Sequence, residues 1–284
     1  MEYVIIGGEI VDRGHATVDI EDRGYQFGDG VYEVIRVYNG KMFTAKEHLI
    51  RLQESAEKIS IQIPYQPTEL EEMLKGLIDK NNLSNGIIYM QFTRGESPRN
   101  HAFPHNVAPA FVAYTRKVDR PVSSMQEGVK AIFIDDIRWL RCDIKSLNLL
   151  GNLLAKQKAV EAGCFEAIQH RGDIITEGSS SNVAIVKNGT VITHPANNLI
   201  LNGITRQKVK QVCEQNQIPF EEKEFTIEDV LHADEVFLSG TTVEVTPIVE
   251  VEEKKISGGT PGQVTKKLQQ LIMDEIVKEC GTIE

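Results

Sequence analysis

The spacing of apolar residues changes along the first half of the chain, from stretches typical of β-strands to the three- and four-residue steps of a helix. Residues 31–38 are rich in valine, isoleucine and tyrosine, which predicts a β-strand. The Asn39-Gly40 pair is a strong hairpin signal, so residues 41–44 are expected to return beside that strand. Over residues 45–60 apolar side chains recur at three- and four-residue steps, and this spacing predicts a helix.

The remaining patterns predict further elements along the chain. Thr68 followed by Glu71 resembles a capping box and is expected to open a helix that ends near residue 82. Gly163 is expected to cap the end of a helix over residues 149–162. Further strands are expected over residues 87–93, 107–115, 129–135 and 165–170, hairpins at 171–173 and 188–189, and helices over 205–216 and 262–279.

Residues 118–126 are expected to separate two domains. This stretch is polar, contains Arg120-Pro121, and shows no periodicity, which is typical of a linker. Helices and strands on either side are interspersed without a regular βαβ rhythm. The sequence therefore predicts an α+β protein with an N-terminal domain over residues 1–117 and a C-terminal domain over residues 127–284.

Charge and composition narrow the classes of function. The 284 residues carry 31 Lys and Arg against 41 Asp and Glu, a net charge of −10, which argues against nucleic acids and anionic membrane surfaces as partners. No apolar run approaches the ~18 residues of a membrane span. Four cysteines without CxxC spacing predict neither a disulfide framework nor a zinc cluster. Since the N-terminus lacks the features of a signal peptide, we expect a cytoplasmic protein.

Lys145 is the strongest candidate for covalent chemistry. Most lysines are solvated surface groups, but the neighbours Trp139, Leu140 and Ile144 are apolar enough to bury this segment partly. Burial beside Arg138 and Arg141 would favour the free amine that reaction with an aldehyde requires.

Polar segments in the second half supply candidate binding groups. Glu177 precedes a glycine and three serines, and such a carboxylate can hold a proton on a heterocyclic nitrogen, although a plain polar loop is the simpler interpretation. At residues 201–206 an apolar strand gives way to Gly203 and to a helix expected to start at Thr205. The free amides of a helix start bind anions, although N-capping alone also accounts for Thr205. Residues 239–242 follow another apolar strand with hydroxyls and amides suited to the same anion.

Three features of the first half have simpler interpretations. Gly28-Asp29-Gly30 precedes a strand, whereas a dinucleotide site needs glycines after one, so a turn is favoured. His101 and His105 are four residues apart, but Pro104 between them argues against a helical metal site, and no metal is expected. Arg99, two residues before His101, supplies a guanidinium that can bind a carboxylate.

Together these segments resemble the D-amino-acid transaminases, within the branched-chain-aminotransferase-like, fold type IV class of pyridoxal phosphate enzymes. The resemblance covers essentially the whole chain. The segments that carry it are residues 21–33, Arg99-Asn100-His101, residues 136–148, residues 176–182 and Gly203-Ile204-Thr205-Arg206. It implies a two-domain fold with a smaller N-terminal α/β domain and a larger C-terminal mixed β/α domain that carries the cofactor lysine.

The resemblance also implies a role for each candidate residue. Lys145 would carry pyridoxal 5'-phosphate as a Schiff base and move the proton, and Glu177 would pair with the pyridine nitrogen. Tyr32, Arg99 and His101 would hold the substrate α-carboxylate, the last two from the other subunit of a homodimer. The remaining cofactor-binding residues would be Arg51, Leu201, Ile204, Thr205, Thr241, Gly240, Ser180 and Ser181. Gly240 stands where the family pattern has a hydroxyl, so there the backbone amide remains as the phosphate contact.

Four functions remain open at this point. The first is a D-amino-acid aminotransferase, acting on D-alanine and D-glutamate with 2-oxo acids by ping-pong transamination. A branched-chain L-amino-acid aminotransferase shares the scaffold, but Arg99 and His101 favour D-substrates. A 4-amino-4-deoxychorismate lyase shares the cofactor residues but gives those two side chains no evident role. A binding protein without catalysis is opposed by the presence of Lys145, Glu177 and Arg51.

Overall fold

The computed structural model describes residues 2–283, and their contacts divide the chain into two units. Unit 1 extends to Asp119 and also includes Ile144–Asn148 and the chain from Ile276 onward; unit 2 comprises Arg120–Asp143 and Leu149–Glu275. This differs from the predicted division, because the segment carrying Lys145 belongs to unit 1 and not to the C-terminal domain. The difference arises because residues 144–148 bond to strand residues 30–32.

Unit 1 is built on a six-stranded sheet with helices packed against it. Its strands are β1 (Tyr3–Ile6), β2 (Glu9–Asp12), β3 (Gly30–Tyr38), β4 (Lys41–Met42), β5 (Gly86–Thr93) and β6 (Ala110–Arg116), in the spatial order β2-β1-β6-β5-β3-β4. Its helices are α1 (Arg23–Phe27), α2 (Ala45–Lys58) and α3 (Pro67–Lys80), with a 3-10 turn at Arg13–His15. The expected strand at residues 107–115 begins later, at Ala110.

The predicted hairpin and amphipathic helix are confirmed in unit 1. Asn39 and Gly40 have φ of 50° and 73°, and β3 pairs with β4 through Val37–Met42 and Tyr38–Lys41. Helix α2 follows and buries Leu49, Leu52 and Ala56 in the core of unit 1. The sequence pattern therefore located the face of α2 that covers the sheet.

The predicted capping box at Thr68 and Glu71 is wrong. Helix α3 begins at Pro67, so Gln66 is its N-cap, and Gln66 N donates to Glu69 Oε2 at 2.7 Å. Proline fixes φ near the helical value and lacks the N–H that the first turn leaves unpaired, which favours a helix start at Pro67. Thr68 consequently lies inside the first turn.

Unit 2 contains a nine-stranded sheet of mixed direction. Its strands are β7 (Val129–Asp135), β8 (Glu166–Arg171), β9 (Ile174–Gly178), β10 (Asn182–Lys187), β11 (Thr190–Thr193), β12 (Phe220–Glu222), β13 (Glu235–Gly240), β14 (Glu244–Val251) and β15 (Lys254–Lys255). The spatial order is β12-β11-β10-β13-β14-β7-β8-β9, with β15 paired to β14. Its helices are α4 (Val122–Glu127), α5 (Leu150–Glu161), α6 (Ile204–Gln215), α7 (Ile227–Leu231) and most of α8 (Gln263–Cys280), with a 3-10 turn at Ser257–Gly259.

Several expectations for unit 2 are confirmed, and the linker is not structureless. The hairpins β8–β9 and β10–β11 form as predicted, and the helix before Gly163 is closed by that glycine at φ 69°. Within the predicted linker, however, Val122–Glu127 forms helix α4, which buries Met125. The α+β fold class is confirmed. Among residues 2–283, no helix is long and apolar enough to cross a membrane.

Candidate active site

Lys145 is held by its backbone against strand β3 of unit 1. Its carbonyl accepts from Tyr32 N at 3.0 Å, and its own N–H donates to Ser55 Oγ at 3.2 Å. The half-buried side chain places Nζ 4.3 Å from the centre of the Tyr32 ring. Within residues 2–283, Nζ makes no hydrogen bond or ion pair. An amine without such partners is accessible to an aldehyde.

A buried ionic cluster lies on the inner face of α2. Glu33 is fully buried and accepts from Arg51 Nε at 2.7 Å, from Arg51 Nη2 at 3.0 Å and from His48 Nδ1 at 2.7 Å. Burial alone would raise the pKa of Glu33, but the charges and hydrogen bonds of Arg51 and His48 hold it well below its usual range. Burial lowers the pKa of His48, so the histidine is the neutral member of the cluster.

The position of Arg51 refines its expected role. Two of its nitrogens donate to Glu33, and these bonds hold the guanidinium in a fixed orientation. Its role as a phosphate ligand stays a prediction. Glu33 and His48 were missed from the sequence, although a signal exists: Glu33 shares strand parity with core residues, and His48 is one turn from Arg51 on the buried face of α2.

Arg99 and His101 lie on the loop between β5 and β6, residues 94–109, which we call the trap loop. Both side chains are exposed and gather around Phe27, with the Arg99 Cζ 4.4 Å and the His101 ring centre 5.6 Å from the Phe27 ring centre. Arg99 Nη1 donates to Gln26 O at a marginal 3.5 Å. No hydrogen bond or ring contact joins either side chain to Tyr32 within residues 2–283; Tyr32 instead stacks on Tyr89 at 5.6 Å.

Glu177 occupies a buried, fully hydrogen-bonded position in unit 2. Its Oε1 accepts from Arg138 Nη1 at 2.5 Å, and its Oε2 accepts from Asn182 Nδ2 at 2.9 Å and from Leu201 N at 3.0 Å. Burial raises the pKa of Glu177, while the charge and hydrogen bond of Arg138 oppose that rise. The bonds to both oxygens fix the plane of the Glu177 carboxyl group.

Asp136 anchors the arginine that holds Glu177. Asp136 accepts from Arg138 Nε and Nη2, both at 2.9 Å, and from Arg171 Nε at 3.1 Å. Burial alone would raise the pKa of Asp136, but the hydrogen bond and charge of Arg138 lower it to about 2. Burial alone would lower the pKa of Arg138, but the hydrogen bond and charge of Asp136 and the charge of Glu177 raise it.

These contacts correct two expectations about the neighbours of Lys145. Arg138 and Arg141 each pair with an aspartate, Asp136 and Asp143 respectively, so neither is an unpaired cation beside an amine. Trp139 and Leu140 do not bury the segment, because they are 43% and 62% exposed. Ile144 is buried as expected, in the core of unit 1.

The apolar strand expected before Gly203 does not form, because residues 194–203 lie between β11 and α6 outside any strand. The N-cap is Gly203, so Ile204 and Thr205 are the first helical residues and the N-capping role considered for Thr205 is wrong. The amides of a first helical turn have no intrahelical acceptor and form an anion site. A Cβ on Gly203 would overlap Asn182 Oδ1, so glycine is required for the close approach between this turn and the residue that bonds to Glu177.

The serine loop is ordered by a buried carboxylate that the sequence analysis missed. Glu166 is 1% exposed and accepts from the hydroxyls of Ser179 and Ser181 and from Ser179 N. The Ser181 hydroxyl therefore donates its hydrogen bond to Glu166. The neighbouring Ser180 is exposed. Gly240 lies nearby, since a Cβ on it would be 3.7 Å from Ser180 O. Thr241 follows Gly240, at the end of β13.

The comparisons with known proteins decide the family. The family described as amino-transferase class IV matches residues 30–251. The chain belongs to this family. It is 53% identical over 271 residues to a D-alanine aminotransferase of Staphylococcus epidermidis, covering 95% of this chain and 96% of that relative.

Solved structures of two other aminotransferases share the fold. The branched-chain amino acid aminotransferase of Escherichia coli superposes with a TM-score of 0.91 at 28% identity, covering 95% of this chain and 92% of that one. The branched-chain aminotransferase of the archaeon Thermoproteus uzoniensis, solved with norvaline, gives a TM-score of 0.89 at 26% identity, covering 98% and 96%. These matches confirm the expected two-domain, fold type IV architecture.

The residues of each unit fit a phosphate-bearing aldehyde cofactor. Unit 1 supplies the Lys145 amine, which lies over the Tyr32 ring. Unit 2 supplies a buried carboxylate at Glu177 and an amide-rich helix start at Ile204, which suit a protonated ring nitrogen and a phosphate.

Proposed function

We propose that this aminotransferase uses pyridoxal 5'-phosphate and interconverts D-amino acids, D-alanine and D-glutamate among them, with 2-oxo acids. The observation that carries the proposal is the Lys145 amine, which lies over the Tyr32 ring and forms no ion pair with any residue from 2 to 283. The high identity to D-alanine aminotransferases over nearly the whole chain supports the choice of substrate.

Lys145 is the proposed catalytic residue. When bound, the cofactor supplies an electron sink that makes the Cα–H of the amino acid acidic. The Lys145 amine would hold the cofactor through its aldehyde and, once released by the amino acid, would move the Cα proton. Its attachment through Tyr32 N and Ser55 Oγ fixes the face from which it acts.

Glu177 is proposed to hold the proton on the pyridine nitrogen. A carboxylate beside a heterocyclic N–H stabilises the protonated ring by charge. Arg138, Asn182 and the Leu201 amide support this role, because they fix both Glu177 oxygens and favour the ionised form. Leu201 itself is proposed to pack against the ring.

The phosphate is proposed to bind at the start of α6. The amides of Ile204 and Thr205 and the Thr205 hydroxyl are the donors in this turn. The other proposed ligands are Arg51, Ser180, Ser181, Thr241 and the amide of Gly240. Because the Ser181 hydroxyl donates to Glu166, Ser181 contributes its backbone amide rather than its O–H.

The substrate α-carboxylate is proposed to bind Tyr32, Arg99 and His101, the last two from a partner copy in a homodimer. Exposure of Arg99 and His101 supports this, since side chains that serve another subunit must project from their own. Helix α5 also exposes Leu150, Leu153 and Leu154 by 69%, 60% and 48%, an apolar face typical of interfaces. Light scattering at micromolar concentration should give twice the chain mass; a monomer would contradict the shared site.

A donor panel tests the proposed substrate class. The holoenzyme is incubated with 2-oxoglutarate and paired D- and L-forms of alanine, glutamate and leucine, and oxo-acid formation is measured. We expect D-alanine to be used and L-leucine not. Equal or greater activity with L-leucine would favour a branched-chain enzyme, and pyruvate release from 4-amino-4-deoxychorismate would favour a lyase. The cytoplasm is the proposed location, supported by the four cysteines, which are all unpaired.

Borohydride reduction tests the proposed attachment point. The purified protein should absorb visible light, and reduction should fix the cofactor on the peptide that contains Lys145. Lys145→Ala should abolish the fixed adduct while leaving the fold, measured by circular dichroism, unchanged. A colourless protein that does not bind added pyridoxal phosphate would favour a binding protein without catalysis.

A further inference from the structure

We propose that Arg23 is a positioning residue for the substrate-carboxylate site. It holds the Asn100 carbonyl and thereby fixes the peptide that carries Arg99 and His101 on its two sides. The inference rests on the proposed function of Arg99 and His101. Arg23 itself touches no proposed substrate or cofactor group and is assigned a role through the trap loop alone.

Arg23 is buried and makes contacts in two directions. It is 2% exposed, its Nη1 donates to Asn100 O at 2.6 Å and its Nε donates to Asp29 Oδ2 at 2.8 Å. Its Cζ also lies 4.8 Å from the Phe27 ring centre, on the ring that Arg99 and His101 approach. A planar guanidinium can satisfy both acceptors at a fixed angle, which an ammonium cannot.

Asp29 fastens Arg23 to the base of the trap loop. Its carboxylate accepts from Arg94 Nε at 2.8 Å and from Arg94 Nη2 at 2.9 Å, in addition to the bond from Arg23. Arg94 is the first residue of the trap loop and also donates to Ser60 O and Ile59 O. Asp29 therefore links Arg94, at the start of the trap loop, to Arg23, which bonds to Asn100 in the middle of the loop.

Backbone contacts make the entry of the trap loop rigid. The Asp22 side chain caps α1 and accepts from Thr93 Oγ1 at 2.7 Å, and Arg23 N donates to Gly95 O at 3.0 Å. Gly95 has φ of 101°, a conformation that other residues rarely adopt. Beyond this entry, the Arg23–Asn100 bond holds the backbone of the tip that carries Arg99 and His101, whose side chains also contact Phe27.

The exposure of Arg99 and His101 explains why the Arg23–Asn100 bond matters for substrate binding. Arg99 and His101 are solvent-exposed, and ordering two long side chains costs conformational entropy when the substrate binds. A peptide already fixed at Asn100 reduces that cost. A misplacement of about 1 Å costs up to about a hundredfold in reaction efficiency, so loss of the Arg23 bond should be visible in carboxylate binding.

Arg23→Lys is the test variant, because lysine keeps the charge beside Asp29 but lacks the fork that also reaches Asn100 O. The holoenzyme is mixed with D-alanine in a single turnover, which separates the apparent dissociation constant from the limiting rate. We expect the dissociation constant to rise about tenfold and the limiting rate to change much less. The absorption band of the bound cofactor should stay unchanged.

The matched control is Arg120→Lys, which removes an equivalent fork, from Arg120 to Glu244, away from the trap loop. It should leave the affinity for D-alanine as in the original enzyme. Hydrogen exchange supplies a readout apart from activity: Arg23→Lys should speed exchange at residues 99–102, where Ala102 N donates to Asn100 Oδ1. Unchanged exchange there would overturn the proposal.

A double-mutant cycle separates this inference from the proposed function. Arg99→Ala should weaken D-alanine binding, and adding Arg23→Lys should weaken it little further, because the two residues act through one loop. If Arg99→Ala has no effect, the proposed carboxylate site is wrong and the inference falls with it. If Arg99→Ala weakens binding but Arg23→Lys does not, or if the two effects add in full, the inference alone is overturned.

A second variant covers the case in which Arg23→Lys does not fold. Asp29→Asn keeps an acceptor for Arg23 but removes the charge that holds it, so D-alanine binding should weaken in the same direction with the cofactor band retained. If both variants fail to fold, the pair of Arg23 and Asp29 is a folding element, and the positioning role is overturned.

Discussion

Replacing Asp136 by asparagine is a direct test of the ionic network behind Glu177. The Asp136 side chain has no exposed surface and accepts from Arg138, Arg171 and the Thr176 hydroxyl. Asparagine removes the charge and turns one acceptor into a donor that faces a guanidinium. Arg138 then keeps Glu177 but loses a second charged partner, and the partly buried Arg171 is left facing a neutral amide, which is costly.

The magnitude follows from the pKa of Asp136. Burial alone would raise it, but the hydrogen bond and charge of Arg138 lower it from 3.8 to about 2. At about 1.4 kcal/mol per pKa unit, the folded protein favours this ionised carboxylate by about 2 kcal/mol. Breaking a buried pair costs about 3–5 kcal/mol in measured cases, so we expect Asp136→Asn to destabilise the protein by about 2–4 kcal/mol.

Urea unfolding of the holoenzyme at pH 7, followed by circular dichroism, measures this loss. The control is Glu71→Gln, which removes an exposed ion pair with Lys75 and should change the free energy of unfolding by less than about 0.5 kcal/mol. A loss below about 0.5 kcal/mol in Asp136→Asn would refute the reasoning, because Asp136 would then contribute no more than a surface carboxylate.

The same carboxylate makes a prediction about pH. A carboxyl with a lowered pKa in the folded state contributes its full stability above the unfolded pKa and loses it as the pH falls through the folded pKa. The difference in unfolding free energy between the original protein and Asp136→Asn should therefore be constant above pH about 5. It should shrink as the pH falls from about 4 to about 2. A difference that stays constant over that range would contradict the assigned ion pairs.

Three further substitutions test other parts of the structure. Gly203→Ala should weaken cofactor binding at least tenfold in equilibrium dialysis, because the new Cβ displaces Asn182; unchanged affinity would mean that the turn tolerates a side chain. Glu33→Gln should lower the free energy of unfolding by about 3 kcal/mol in urea, because it leaves the buried Arg51 without its carboxylate. Gly95→Ala should lower the melting temperature, since φ of 101° suits glycine, and an unchanged melting temperature would contradict that strain.

Local patterns predicted most elements but not how the chain is divided. Alternation, helical spacing and the Asn-Gly pairs depend on neighbouring residues, so the hairpin after Tyr38 and helix α2 were predicted within a few residues. The placement of Ile144–Asn148 in unit 1 depends on bonds to β3, more than a hundred residues earlier. Helix α4 was missed because six residues with one buried side chain leave no periodic signal.

The sequence offered candidate site residues where a residue type is rare in its context. A lysine in a partly apolar segment and a glutamate before three serines stand out in the sequence. The residues that hold them do not: Asp136, Glu166 and His48 are ordinary types, and their roles depend on which strands become neighbours. Sequence reasoning therefore identified candidates for direct chemistry and missed the buried groups that orient them.

The buried arginines of this protein differ from Lys145 in their partners. Glu33, Asp29 and Asp136 are each bonded by one or two arginines, so in a chain of net charge −10 these carboxylates are compensated by planar, permanently charged groups. Lys145 instead lies over the Tyr32 ring and pairs with no carboxylate in the described part of the chain. A carboxylate beside an ammonium favours its charged form, which cannot attack an aldehyde. An ion pair at Lys145 would therefore stabilise the fold at the cost of the reaction.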